Sequence, residues 1–297
     1  VVFQRDRESV VFKKAKVVES IKKILERQIA ENPFGSVLAI NGVLHLVEDE
    51  HMRNAFLWFL EKLEVIEISR DIPWLIEHFK ENADMMNFVG EIFTKVGLGI
   101  QSLYIKDESF DQWLKNVSQE EGKVADIMTN KGLSLSKMID DVPMLTVTEE
   151  DGKRLVREFV FQQIGRNGSL CDMDVMSQST GTLRLLTLIP AIYFAINKGK
   201  TVLIDEIDNG IHPMLIKNLV KFFGESKSNG QLIYTTHETA LLNQQELLRP
   251  DEVWFVEKVE GCTKMYSLND FKIHKTISIE NGYLDGRFGA IPFIGTL

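Results

Sequence analysis

The stretch Thr201–Pro213, TVLIDEIDNGIHP, decides how the chain is read. Three apolar residues run into an Asp–Glu pair, and a Gly, a His and a Pro follow soon after. A short apolar run ending in acids fits a buried strand whose last carboxylates sit at the C-terminal edge of a sheet, where α/β proteins bind ligands. Downstream, HPMLIKNLVKFFGES is a helical pattern started by Pro213, QLIYTTH a second buried-type strand and DEVWFVEKV a third. Upstream, GTLRLLTLIPAIYFAINKG is a mostly apolar helix ended by Gly199. Strands alternating with helices predict an α/β fold with a parallel-type sheet flanked by helices.

Farther from this centre the pattern loosens. VVFQRDRESVVFKK alternates and predicts an N-terminal antiparallel strand pair turning at Asp6–Ser9. Val17, Val18, Ile21, Ile24, Leu25 and Ile29 repeat at helical spacing between Lys14 and Glu31. EDEHMRNAFLWFLEKLEVI predicts a second helix, and PWLIEHFKENADMMNFVGEIFTKV a third that opens at Pro73. GLGIQSLYIKDESF and RLVREFVFQQIG read as strands, with a turn at Gly165–Gly168. The residues between those strands are charged and poorly periodic. The expected organisation is therefore N-terminal strands with a helical insertion over 1–105, a mobile helical arm over 106–152, and a tightly patterned C-terminal lobe over 153–297.

Composition narrows the classes. At 297 residues the chain can bury a sizeable core, and its hydrophobic content of 44% is that of a globular protein. No uninterrupted run of about eighteen apolar residues occurs, so no membrane partner is expected. The start has no basic region followed by an apolar one, which excludes a signal peptide. It also opens in mid-strand without an initiator Met, which suggests a piece of something longer. Cys171 and Cys262 are far apart and form no CxxC, so a disulfide framework or zinc site is not expected and a reducing cytoplasm fits. A formal charge of −9 argues against a wholly basic nucleic-acid surface, without excluding a local patch.

Three short runs carry candidate chemistry. Asp205, at the end of its strand, can hold Mg²⁺ bridging nucleotide phosphates, and Glu206 can accept a proton from attacking water. The plainer alternative is a buried strand ending in a polar turn. His237, ending TTH on the next strand, reaches the same sheet edge, where a neutral imidazole can bond a terminal phosphate or position water. An ordinary loop-start histidine is its alternative. Ser179, Thr180 and Gly181 open the long helix and can present a hydroxyl and backbone N–H groups to phosphate. Their alternative is a simple Ser/Thr cap.

Order and spacing strengthen the joint reading. The run QSTGTLRLL, TVLIDEIDNGIHPMLIKNLVKFF, QLIYTTHETALLN, DEVWFVEK and GYLDGRFGAIPF resembles the ABC-class AAA ATP-binding proteins related to RloA and the abortive-infection ATPases. These are bacterial relatives of the SMC, RecF and overcoming-lysogenisation-defect ATPases. The resemblance is close from about Asp174 to Phe293 and lies mainly in layout before that. It implies an ABC-ATPase-like, P-loop NTPase sheet flanked by helices, with ATP and Mg²⁺ as cofactors. Ser179 and Gly181, with Thr180 between them, would be the signature residues that touch nucleotide bound to the other protomer of a homodimer. Asp205 would serve the metal site and Glu206 would be the general base. Asp208, Asn209, Gly210 and His212 would belong to the loop that meets its counterpart across the dimer, and His237 would be the switch histidine. GTLRLL departs from the LSGGQ consensus but keeps the Ser-x-Gly core.

A phosphate loop needs G-x-x-x-x-G-K-[ST] between a strand and a helix. Gly199-Lys200-Thr201 imitates its end, but position 194 is Phe and the triplet precedes a strand. No Walker A run is found, and an N-terminal lobe that family members carry upstream is expected to be missing. The leading expectation is an ATPase module in anti-phage defence, acting with an effector such as a nuclease. A non-catalytic scaffold that keeps the fold, and a RecF-like DNA-repair ATPase with a nucleic-acid ligand, are the alternatives.

Overall fold

The computed structural model describes residues 3–5, 10–12, 23, 27, 50–66, 72–117, 123, 138–139, 142–143, 145–243, 247–273 and 278–291. The chain divides into two compact units, Val1–Glu64 and Val65–Leu297. In the first, β1 (Phe3–Arg5) and β2 (Val10–Phe12) pair antiparallel with Phe3 opposite Phe12, as their alternation predicts. The turn expected at Asp6–Ser9 lies outside the described residues. So does the helix expected over Lys14–Glu31, apart from Lys23 and Arg27, which are helical. Helix α1 (Glu50–Glu61) has Glu50 in its first turn, where the helix dipole favours an acid.

β3 (Leu63–Ile66) begins in the last two residues of the first unit and ends in the second, where Ile66 is buried. The single helix expected from Pro73 onward is broken in two, α2 (Ile72–Glu81) and α3 (Ala83–Lys95). Asn82 causes the break: its side chain accepts the Met85 N–H at 3.1 Å and caps α3. There follow β4 (Ile100–Ser109) and α4 (Phe110–Asn116), capped by Ser109. The short pair β5 (Met138–Ile139) and β6 (Val142–Pro143) precedes β7 (Leu145–Glu150), β8 (Lys153–Ile164) and β9 (Leu170–Asp174). β4, β8 and β7 form an antiparallel sheet in that order, with β9 also paired to β8. Most of the described residues within the expected arm over 106–152 thus lie in strands and in α4, and Lys123 is helical. Alternation in LTVTEE and KRLVREFVF puts Leu145, Val147 and Val156 in one cluster with Phe110 and Trp113 of α4.

The chain then enters the layer that the opening motif predicts. Helix α5 (Thr180–Lys198) runs into β10 (Thr201–Ile204), and α6 (Pro213–Glu225) leads to β11 (Gln231–Tyr234). β10 and β11 are parallel, and the sheet order is β11–β10–β3. α5 is buried almost continuously from Arg184 to Ala195, and with Val202, Ile204, Ile216 and Leu219 it forms the main core. By length and mean hydropathy α5 also passes as a membrane span, a property the sequence reading overlooked. Its burial inside the protein identifies a core helix instead. Gly199 ends it in the left-handed conformation (φ 59°), so Gly199-Lys200-Thr201 runs from a helix end into a strand.

DEVWFVEKV is not a further parallel strand. Its residues form β12 (Trp254–Val259), which turns back on β13 (Cys262–Ser267) with Val259 opposite Cys262. Glu260 and Gly261 both have positive φ (51° and 81°), the two-residue turn that matches strand twist and closes a hairpin. α7 (Ile279–Leu284) completes the unit, with Phe255 stacked against the rings of Tyr283 and Phe288.

Arg157 on β8 is 1% exposed and binds three acids from three elements. Its guanidinium meets Glu77 of α2 at 3.2 Å, Asp107 of β4 at 3.4 Å, and Glu150 of β7. The hydrogen bond from Arg157 holds the Glu150 carboxyl below the ordinary Glu range. Arg157→Met removes these three ion pairs while Lys80 still neighbours Asp107 and Glu150, and is expected to cost about 1–2 kcal/mol at neutral pH, measured by urea unfolding. Because the folded-state Glu150 pKa is depressed, its contribution is present above the ordinary Glu value and is lost as pH falls through the folded value. The gap between variant and wild type therefore narrows in acid.

Candidate functional site

The acidic edge is built where β10 and β11 end together. Thr201 to Ile204 pair in register with Gln231 to Tyr234, which brings Asp205 and Thr235 side by side. The Thr235 hydroxyl donates to Asp205 Oδ1 at 2.6 Å and accepts the Glu206 N–H at 2.8 Å. Backbone bonds continue the pairing past the strands, from Thr235 N–H to the Ile204 carbonyl and from Ile207 N–H to the Thr235 carbonyl, each 3.0 Å. One threonine therefore fixes both residues of the Asp–Glu pair.

Glu206 leaves the sheet in a left-handed conformation (φ 46°), which costs a residue with a Cβ on the order of 1 kcal/mol. Its carbonyl accepts the Asn209 N–H at 3.0 Å, and its Oε2 accepts from Asn209 Nδ2 at 3.4 Å. Asp208 Oδ1 accepts the His237 N–H at 3.3 Å, which ties the loop after β10 to the loop after β11. Asp205, Glu206, Asp208, Asn209 and His237 are thus assembled at one edge. His212 acts differently: its Nδ1 accepts the Met214 N–H at 3.2 Å and caps α6, ahead of Pro213 at the first helical position. That bond makes Nδ1 an acceptor and leaves Nε2 to carry the proton of the neutral ring.

The start of α5 abuts the same loop. Ser179 is the N-cap, and its Oγ accepts the Thr182 N–H at 3.2 Å. Thr180 is the first helical residue and is exposed. A Cβ on Gly181 would lie 2.8 Å from the Gly210 carbonyl oxygen, closer than side chains approach backbone. Glycine is required there by contact with the loop and not by its φ.

Two residues that the sequence reading left without a role complete the edge. Thr235 is the hinge just described. Arg184, one turn after Gly181, is 7% exposed, and its Nη2 donates to the Asp205 carbonyl at 3.2 Å and the Glu206 carbonyl at 3.3 Å. Burial pushes its pKa below the ordinary arginine value, against the pull of the Glu206, Asp205 and Asp208 carboxylates. Arg184 stays charged, since even a lowered arginine is protonated at neutral pH. The available signal was a lone cation inside GTLRLLTLIP, three residues from a glycine and so on its helix face.

The Gly181 contact has a direct consequence. Gly181→Ala forces a methyl group against backbone that cannot rotate away, and is expected to cost about 1–3 kcal/mol in thermal unfolding. An alanine variant as stable as wild type would mean that the helix start does not bear on Gly210.

A search of curated proteins finds no match to the chain. A scan of family models matches residues 43–243 to the family described as "AAA domain, putative AbiEii toxin, Type IV TA system". The matched span contains the start of α5, the acidic edge of β10 and His237 after β11. It covers more than half of the chain, and the chain belongs to this AAA-domain family of P-loop NTPases, a family of nucleotide-binding ATPase modules.

Proposed function

We propose that the chain is the ATP-binding and hydrolysing module of an ABC-type ATPase that works as a nucleotide-gated homodimer. The observation that carries this reading is the acidic edge: Asp205 and Glu206 end a parallel strand, His237 follows its neighbour, and the Ser-x-Gly helix start touches the intervening loop. The residues fit a nucleotide with Mg²⁺, because Asp205 offers a hard oxygen and only its Oδ1 is engaged by Thr235. Asp205 would hold the Mg²⁺, whose positive charge would stabilise negative charge developing on the phosphates.

In this reading Glu206 accepts the proton of the attacking water. Asn209, bonded to Glu206 Oε2, orients that carboxylate. His237 is presented to the terminal phosphate from the loop that Asp208 holds. Ser179, Thr180 and Gly181 face nucleotide bound to the second copy, and Asp208, Asn209, Gly210 and His212 lie in the loop that meets its counterpart there. Residues 153–297 carry these parts as the catalytic lobe. The proposal extends to a role in bacterial anti-phage defence, in line with the family's description as "putative AbiEii toxin, Type IV TA system", and to a cytoplasmic setting beside an effector such as a nuclease or a nucleic-acid ligand.

Glu206→Gln in the full-length protein is expected to lower ATP turnover by about 10²-fold or more while nucleotide stays bound, and to accumulate an ATP-bound dimer in gel filtration. Turnover equal to wild type would remove Glu206 from the base role. A wild-type protein with no turnover would leave the fold as an interaction scaffold.

A further inference from the structure

We infer that Arg184 is the positioning residue of the acidic edge, tying the start of α5 to the backbone that carries Asp205 and Glu206. The inference rests on the ATPase reading and adds a residue which that reading does not use. Gly181 and Arg184 are i and i+3 and so share one helix face. That face meets the loop twice. Gly181 approaches the Gly210 carbonyl so closely that no Cβ fits, and Arg184 Nη2 bonds the Asp205 and Glu206 carbonyls at 3.2 and 3.3 Å.

The cation is costly where it sits. Among the described residues its buried Nε and Nη1 atoms find no hydrogen-bond partner, so the site is not built for the best stability of the arginine. What the guanidinium supplies is a second bond to the Glu206 carbonyl, on a residue held at positive φ. The Glu206 peptide is then gripped on one side by Thr235, which binds its N–H, and on the other by Arg184. Since Ser179–Gly181 begin the same helix, a shift of that helix start moves the Glu206 backbone with it. Arg184 thereby links the residues that face the partner's nucleotide to the base that acts on its own.

The test is steady-state ATP hydrolysis by the full-length protein as wild type, Arg184→Met, Arg184→Lys and Glu206→Gln, with thermal unfolding of each. A positioning role predicts that folded Arg184→Met loses about 10–100-fold in kcat with KM for ATP within about threefold, and that Arg184→Lys recovers a substantial part. Lysine keeps the charge and can donate to both carbonyls. An Arg184→Met variant with kcat within twofold of wild type, or one that raises KM alone, overturns the inference. If the methionine variant does not fold, Arg184→Gln takes its place: a kcat lowered about threefold or more at unchanged KM supports the role, and wild-type kcat overturns it. Activity that Glu206→Gln abolishes but Arg184→Met retains leaves the ATPase reading standing and removes Arg184 alone. Activity absent from wild type, or untouched by Glu206→Gln, overturns both.

Discussion

The first turn of α5 presses on the loop that follows β10, and that contact sets the geometry of the acidic edge. Gly181 allows the approach because it has no Cβ, and Arg184, one turn on, uses the approach to reach two carbonyl oxygens. Without the arginine the loop would keep only its bonds to the β11 side and within itself. The apolar remainder of α5 makes the contact rigid, since it is buried in the main core with β10 and α6.

The same constraint explains why a glutamate occupies a left-handed position. A glycine would adopt that conformation at no steric cost but would carry no carboxylate. The strain at Glu206 is offset locally, by the Thr235 hydroxyl at its N–H and by Arg184 and Asn209 at its carbonyl. A backbone fixed by its surroundings loses little further entropy when the side chain is put to use. Strained residues held in this way concentrate at functional sites, and here the strain falls on the residue proposed as the base.

How much of this was legible in the sequence depended on how local each signal was. The parallel pair β10–β11 could be read from two apolar runs, although burial alternates along both strands, with Val202 and Ile204 buried and Ile233 exposed. The N-terminal strand pair was visible in its alternation. β12 was misread because WFV is as apolar as a buried strand, although Trp254 and Val256 are exposed and only Phe255 is buried. Its partner is chosen by the Glu260–Gly261 turn, a two-residue signal that the apolar run obscured. At the site, Asp205, Glu206 and His237 announced themselves by ending strands. Arg184 did not, since its partners are backbone carbonyls more than twenty positions away, and a carbonyl leaves no mark in a sequence. Side-chain chemistry at strand ends is readable, whereas main-chain chemistry between elements is not.

Arg157 and Arg184, the buried arginines among the described residues, show what the protein does with a cation in its interior. Arg157 lies in the antiparallel sheet with acids from α2, β4 and β7 around it, each half exposed and able to relax toward water. That arrangement joins elements and favours folding. Among the described residues Arg184 bonds two carbonyls and no carboxylate, and keeps two buried donor atoms without partners. A cation selected for stability alone would be better served by an acid on its own side of the loop. The carboxylates that act on it electrostatically, Glu206, Asp205 and Asp208, belong instead to the edge where ligand chemistry is expected. Arg184 therefore lowers the repulsion among three acids without occupying any of their oxygens in a hydrogen bond. An acidic site that must keep its oxygens available requires a counter-charge placed behind the backbone and not in front of it.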